Sequence, residues 1–341
     1  MHTPAMHTPA MHTPATRAIA AALAAVAIQV LMIAAFGWPS ARQAPRDVPL
    51  VVAGPQPATT AIAGRLAAEQ PGAFKITRVP DEASARAALG DREAYGAIVV
   101  TPTGPRVLVA SAASPILAQQ LGRLGEQLSG RQAAATQDVV PSDGDDPRGA
   151  VLASMALPLI LSGLAAGVLL LFLVPSIGWR LAGLAAFAAG GGAATAAIAQ
   201  DWLSVLPGDH LTVAGVAGLG SLAVAGTVTG LGTVIGRPGI GLAALTMVLL
   251  GNPLSGATSA PELLPQPWGA VGQALPPGAT VTLLRSVAFF DGAGAAVPLI
   301  ALSIWAGAGV LLTAAGLFRA RPEPVRVSSP DVPGHTAAGH I

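Results

Sequence analysis

Long uncharged apolar runs are the dominant pattern of this chain. Ala18 to Phe36, Val151 to Val174, Leu181 to Ala199, Leu211 to Ile235, Gly239 to about Leu250 and Ala296 to Phe318 contain no Asp, Glu, Lys or Arg. Most of them reach the length of about 20 residues that an α-helix needs to cross a bilayer. The pattern predicts a polytopic α-helical membrane protein with six transmembrane helices: 17–38, then about 151–174, 181–199, 211–235, 239–251 and 296–318. The fifth run is short by itself. The first run is too long for the apolar core of a secretory signal. It reads as an uncleaved helix, with cleavage near Ser40-Ala41 as the competing reading.

Residues 40–148 differ, because most of the charge falls there. The pattern predicts a strand over Val48–Ala53, a helix over Thr59–Gln70, a strand over Phe74–Val79 and a helix over Asp81–Leu89. Asp81 follows Pro80 and is placed to cap that last helix. A strand over Gly96–Thr101, a hairpin through Pro102–Pro105 into Arg106–Ser111, and a helix from Ser114 to about Gly130 follow. This is a small α/β domain, large enough for its own core. The stretch 137–148 reads as a polar linker back to the membrane region at 149–318.

One segment fits neither pattern. Between Asn252 and Ala295 the chain begins Asn252-Pro253-Leu254-Ser255-Gly256, passes Pro261, Pro265, Pro267, Pro276 and Pro277, and carries Glu262, Arg285 and Asp291. It is too apolar for an ordinary loop and too broken for one helix. The three charged residues form either one cluster or separate interface anchors. The ends of the chain read as tails: 1–16 holds three Met-His-Thr-Pro-Ala repeats, in which proline blocks a helix, and 319–341 is rich in Pro, Ser, Gly and His. His2, His7 and His12 are at best a weak metal-binding pattern.

Composition agrees with the membrane reading. The chain of 341 residues is 52% hydrophobic and 10% charged, with mean hydropathy +0.62; soluble domains carry about a quarter charged residues. Net charge is +1, so no basic field points to nucleic acid. Cysteine is absent, which excludes disulfides and thiol chemistry. Orientation follows from the positive-inside rule. With the N-terminus inside, Arg17, Arg180, Arg237 and the Arg319, Arg321 and Arg326 cluster fall on the cytoplasmic side. Asp201, Asp209, the 40–148 domain and the 252–295 segment fall outside. Arg285 is the exception, which suggests that it belongs to a structured element.

The glycine pairs Gly163/Gly167, Gly226/Gly230 and Gly232/Gly236 lie within the spans and predict close helix packing. Gly230 and Gly232 are no dinucleotide fingerprint, because that needs a strand–turn–helix context. No phosphate loop occurs, so ATP hydrolysis by that route is excluded for this chain. The span interiors hold no ionisable residue, which argues against a proton-coupled carrier; sodium coupling through carbonyls and hydroxyls stays open. Asp209-His210 has no serine motif beside it. No catalytic, cofactor or metal set is expected.

The layout resembles the ABC-2 type membrane proteins: one helix, a large outer domain, then five helices with a broken segment before the last. The strings Asn252–Gly256, Pro261-Glu262-Leu263-Leu264-Pro265, Leu275-Pro276-Pro277-Gly278 and Leu284-Arg285 are similar to the YhgE/Pip (phage infection protein) branch. Pro80-Asp81-Glu82-Ala83 and Tyr95–Val100 resemble its outer domain. The resemblance implies that 252–295 is a re-entrant hairpin of two short helices, about Ala260–Ala274 and Pro277–Phe290. It also implies a separate ATPase partner and a homodimer or heterodimer in the lipid bilayer. Where such permeases dock their ATPase, this chain has only the repeat and about Pro175–Arg180. Two functions are therefore expected in competition: an export permease subunit for a lipid-like or amphipathic substrate, and a non-transporting envelope protein whose outer domain binds a partner or phage.

Overall fold

The computed structural model describes residues 14–102, 104–129 and 135–319; residues 1–13 of the expected 1–16 tail, and the tail from 320 on with Arg321 and Arg326, lie outside them, while Pro14, Ala15 and Thr16 are helical. The chain is mostly helical with one small sheet. Among the described residues, five helices are long and apolar enough to cross a membrane. They are α1 (Pro14–Ala41), α5 (Ala150–Leu173), α6 (Ile177–Ala196, continued by a π-helical turn to Trp202), α7 (His210–Ile235) and α11 (Ala296–Arg319).

The α/β domain follows α1. Its elements are β1 (Val48–Ala53), α2 (Gln56–Glu69), β2 (Phe74–Val79), α3 (Glu82–Gly90), β3 (Gly96–Thr101), β4 (Gly104–Val109), α4 (Pro115–Ser129) and β5 (Thr136–Asp138). The sheet order is β2-β1-β3-β4-β5. β1 runs parallel to both β2 and β3, and β4 is antiparallel to β3. β1 is an interior strand and apolar on both faces, as a strand covered from two sides must be. Leu50 and Ile98 pack with Leu66 of α2 and Leu121 of α4 on one face. Val51, Ala53 and Val99 point the other way, onto Leu89 of α3. Asp81 caps α3, its Oδ1 accepting from the Ser84 N–H at 2.8 Å. The stretch expected as a linker from 137 begins instead with β5, which pairs with β4.

In the bundle α7 is central and most buried, and α5, α6, α10 (Pro276–Phe289) and α11 pack around it. Small residues allow this close approach. A Cβ on Gly163 or Gly167 would collide with Val224 or Val228 of α7, and one on Gly230 would meet the Gly309 carbonyl at 2.7 Å. Gly226 also faces Gly309, and Gly232 faces Leu171. Gly236 differs from the expectation: it has φ +71 with open space at its Cβ position. It ends α7, where a left-handed residue is needed, and takes no part in helix packing.

Four boundaries also differ. α1 starts at Pro14 and runs through Pro39, because a proline in the last turn removes only one hydrogen bond. α6 starts at Ile177, ahead of Arg180. The Arg180 guanidinium reaches back to the Val174 and Leu171 carbonyls at 2.7 and 3.1 Å, satisfying the end of α5. The stretch Asp201–His210 reads in the sequence as a short loop, but Asp201 and Trp202 belong to the π-helical turn. The fifth predicted span is α8 (Arg237–Ala244) followed by a π-helical turn, Leu245–Gly251. At 1.5 Å per residue this is about 22 Å, short of the roughly 30 Å hydrocarbon core.

Candidate functional site

The 252–295 segment is a packed body and not a loop. Asn252–Ser255 forms a turn, the Asn252 carbonyl accepting from Ser255 Oγ at 2.7 Å. Pro253 lies within that turn, half-buried. Gly256 follows at φ +66, a backbone conformation that favours glycine, and a Cβ there would press on the Pro261 nitrogen at 3.0 Å. The first limb is shorter than the expected 260–274 helix: Pro261–Leu263 is a single 3-10 turn, and α9 covers only Trp268–Ala274. Pro265 and Pro267 remove the N–H groups that would join them. The second limb, α10 (Pro276–Phe289), matches expectation, with Pro276 and Pro277 in its first turn. Gly272 lies so close to the Leu254 carbonyl that no Cβ fits. Gln273 joins the parts: its Nε2 donates to the Ser255 carbonyl at 2.8 Å, and its Oε1 accepts from Thr282 at 2.6 Å.

This body is fused to the α/β domain. The Ala44 and Arg46 N–H groups donate to the Leu263 and Glu262 carbonyls at 3.0 and 3.1 Å. Ala260 and Leu263 share an apolar cluster with Val48 and Leu117. Phe290 is buried in the domain core beside Leu89. Arg92, in the turn after α3, donates from Nη1 to the Thr282 carbonyl at 3.2 Å and to Ser286 Oγ. Its guanidinium also lies 5.1 Å from the Phe290 ring centre.

Between the two parts is a cavity of about 390 Å³, lined by Arg92, Tyr95, Glu262, Gln266, Gln273, Thr282 and Arg285 among others. The Tyr95 hydroxyl donates to Glu262 Oε2 at 2.7 Å. Burial, and then the neighbouring Glu262 carboxylate, push the Tyr95 phenol well above its usual value. Burial lowers Arg92, and the Tyr95 phenol and Glu262 carboxylate offset part of this. Arg285 is 5% exposed. So Glu262 and Arg285 share one wall, but Asp291 does not: it is exposed in the following turn at φ +49.

Arg285 also lines a small cavity on its other side, with Asp146, Leu152, Val205 and Phe289. A separate groove of about 430 Å³ lies in the bundle wall, bordered by Val151 and Leu203. Leu159, Phe187 and Ile198 make this groove apolar, and Ser162, Thr195 and Ser221 add a few hydroxyls. Arg285 lines the polar cavity and the small cavity, and the apolar groove is walled by other residues.

The sequence did not single out Arg92. Asp91-Arg92-Glu93 reads as an ordinary charged turn, and its partners lie some 190 positions away. The signal that was available is Arg285, a lone cation in nearly uncharged sequence. Among the described residues no group of three or more His, Asp or Glu could hold a metal ion. No family model, curated protein or solved structure matches the chain.

Proposed function

We infer that the chain is the membrane subunit of an ABC-2-type exporter for a lipid-like or amphipathic substrate, powered by a separate ATPase. The observation that carries this reading is that one chain holds both a guanidinium-lined cavity, with Arg92 and Arg285, and an apolar groove in the bundle wall. An amphipathic molecule needs both environments at once. In this reading α8 and its π-helical end complete six membrane segments. Both termini are cytoplasmic, 40–148 is extracytoplasmic, and the 252–295 body sits in the outer leaflet as a re-entrant hairpin. Arg17, Arg180 and Arg237 on one side support that orientation. The chain works as a homodimer or heterodimer.

The test is purification of the full chain from its native membrane, followed by co-reconstitution with the nucleotide-binding protein that accompanies it. ATP-dependent movement of a phospholipid across the bilayer is expected. Failure of any ATPase to accompany the chain in several mild detergents overturns the reading. The competing reading, an envelope protein whose outer domain binds a partner or phage, draws on one feature: only Val174–Ser176 joins α5 to α6, a small docking surface. It predicts that surface substitutions in 48–129 block partner attachment while no ATPase is found.

A further inference from the structure

Arg285 carries its charge almost wholly out of water. Its one described hydrogen bond runs from Nη2 to the Ala257 carbonyl at 3.3 Å. Among the described residues no carboxylate lies within ion-pair distance of it. Burying a guanidinium is unfavourable unless an anion meets it. Arg92 lines the same cavity from the α/β domain, and its described hydrogen bonds use Nη1 alone. Glu262 is the one carboxylate on the cavity wall among the described residues. The wall therefore has two guanidinium groups against one carboxylate, a surplus of one positive charge. Asp146 is not on this wall and makes no ion pair with Arg285; its two oxygens accept from the Ala150 and Val151 N–H groups at 2.8 and 2.7 Å, closing the first turn of α5.

We propose that the cavity between the α/β domain and the 252–295 body binds a phosphate oxyanion, held between Arg92 and Arg285. Two guanidinium forks arriving from different elements suit a tetrahedral anion. The volume of about 390 Å³ admits a glycerol phosphodiester as well as free phosphate. This deepens the exporter reading and rests on it for calling the anion a substrate's head; the binding itself is independent of transport.

The full chain in neutral detergent is titrated calorimetrically with dihexanoyl-phosphatidylglycerol, with inorganic phosphate, and with dihexanoylglycerol. Saturable binding of the phosphatidylglycerol, and none of the dihexanoylglycerol, is expected. R92Q should weaken it about tenfold, the effect of losing one charge-assisted contact. E262Q keeps an oxygen for Tyr95 but removes the opposing charge, so it should tighten binding several-fold, a gain that a structural role for the arginines does not predict. Inorganic phosphate binding as tightly, and weakened by R92Q, supports the oxyanion site with free phosphate as its source. Absence of saturable binding of either anion, equal binding of dihexanoylglycerol, or unchanged affinity in both variants overturns the proposal. R285Q should abolish binding; if it does not fold, R92Q and E262Q decide. Binding that persists when no ATPase accompanies the chain upholds this site and overturns only the exporter reading.

Discussion

The Tyr95 hydroxyl donates to Glu262 Oε2 at 2.7 Å, joining the start of β3 to a residue 167 positions later. The phenol is well placed as donor, since burial and the carboxylate both oppose its ionisation. Y95F removes the donor and leaves a half-buried carboxylate short of a partner. A loss of about 1–3 kcal/mol is expected, read as a lower unfolding midpoint in detergent. E262Q retains an acceptor and should lose less. Equal midpoints for Y95F and wild type would show the bond to be idle.

The crossing of α7 and α11 supplies a paired control. A Cβ on Gly309 would lie 2.4 Å from the Gly226 carbonyl carbon, whereas one on Gly307 meets nothing within 4 Å. G309A should destabilise by about 1–3 kcal/mol through overpacking, and G307A should be neutral or slightly stabilising. Thermal unfolding of the two variants side by side checks this.

Acid should weaken the cap of α3. The Asp81 carboxyl is held below its ordinary value, first by the Ser84 backbone N–H and next by the Ser84 side chain. A depressed folded pKa contributes stability that is complete above the unfolded value of about 4 and lost as pH falls through the lower folded value. Wild type should exceed D81A in denaturant stability at pH 6, and the gap should close below pH ~4. A gap that widens on acidification contradicts the assignment.

Membrane sidedness can be read directly, because the chain lacks cysteine. Gly144 is exposed with open space around its Cβ position, and Ser176 is exposed between α5 and α6. In intact cells an impermeant thiol reagent should label G144C and spare S176C until the membrane is opened. The opposite pattern would invert the orientation.

Much of the α/β domain was legible residue by residue. β1 and β3 fall where expected because each is an apolar run, and β2 because Phe74 and Ile76 alternate with Lys75 and Thr77 in a short segment between turn residues. β5 was missed because Thr136-Gln137-Asp138 is polar and exposed; it is a strand only through its pairing with β4. The glycine-lined helix contacts were readable from spacing, whereas Gly236 mimicked the same spacing while ending a helix. The cavity was half legible. Glu262 and Arg285 stood out as rare charges, but Arg92 and Tyr95 reach them only through tertiary contacts that no local pattern encodes.

Phe290 gives the assembly an order in time. It fills the face of the sheet beside α3, yet it is synthesised long after β1–β5. Until translation has passed α10, the newly made domain has an apolar gap facing its surroundings. Nascent chains stalled between β5 and α10 should therefore attract chaperones or proteases on the domain's side of the bilayer, and chains extended past Phe290 should not.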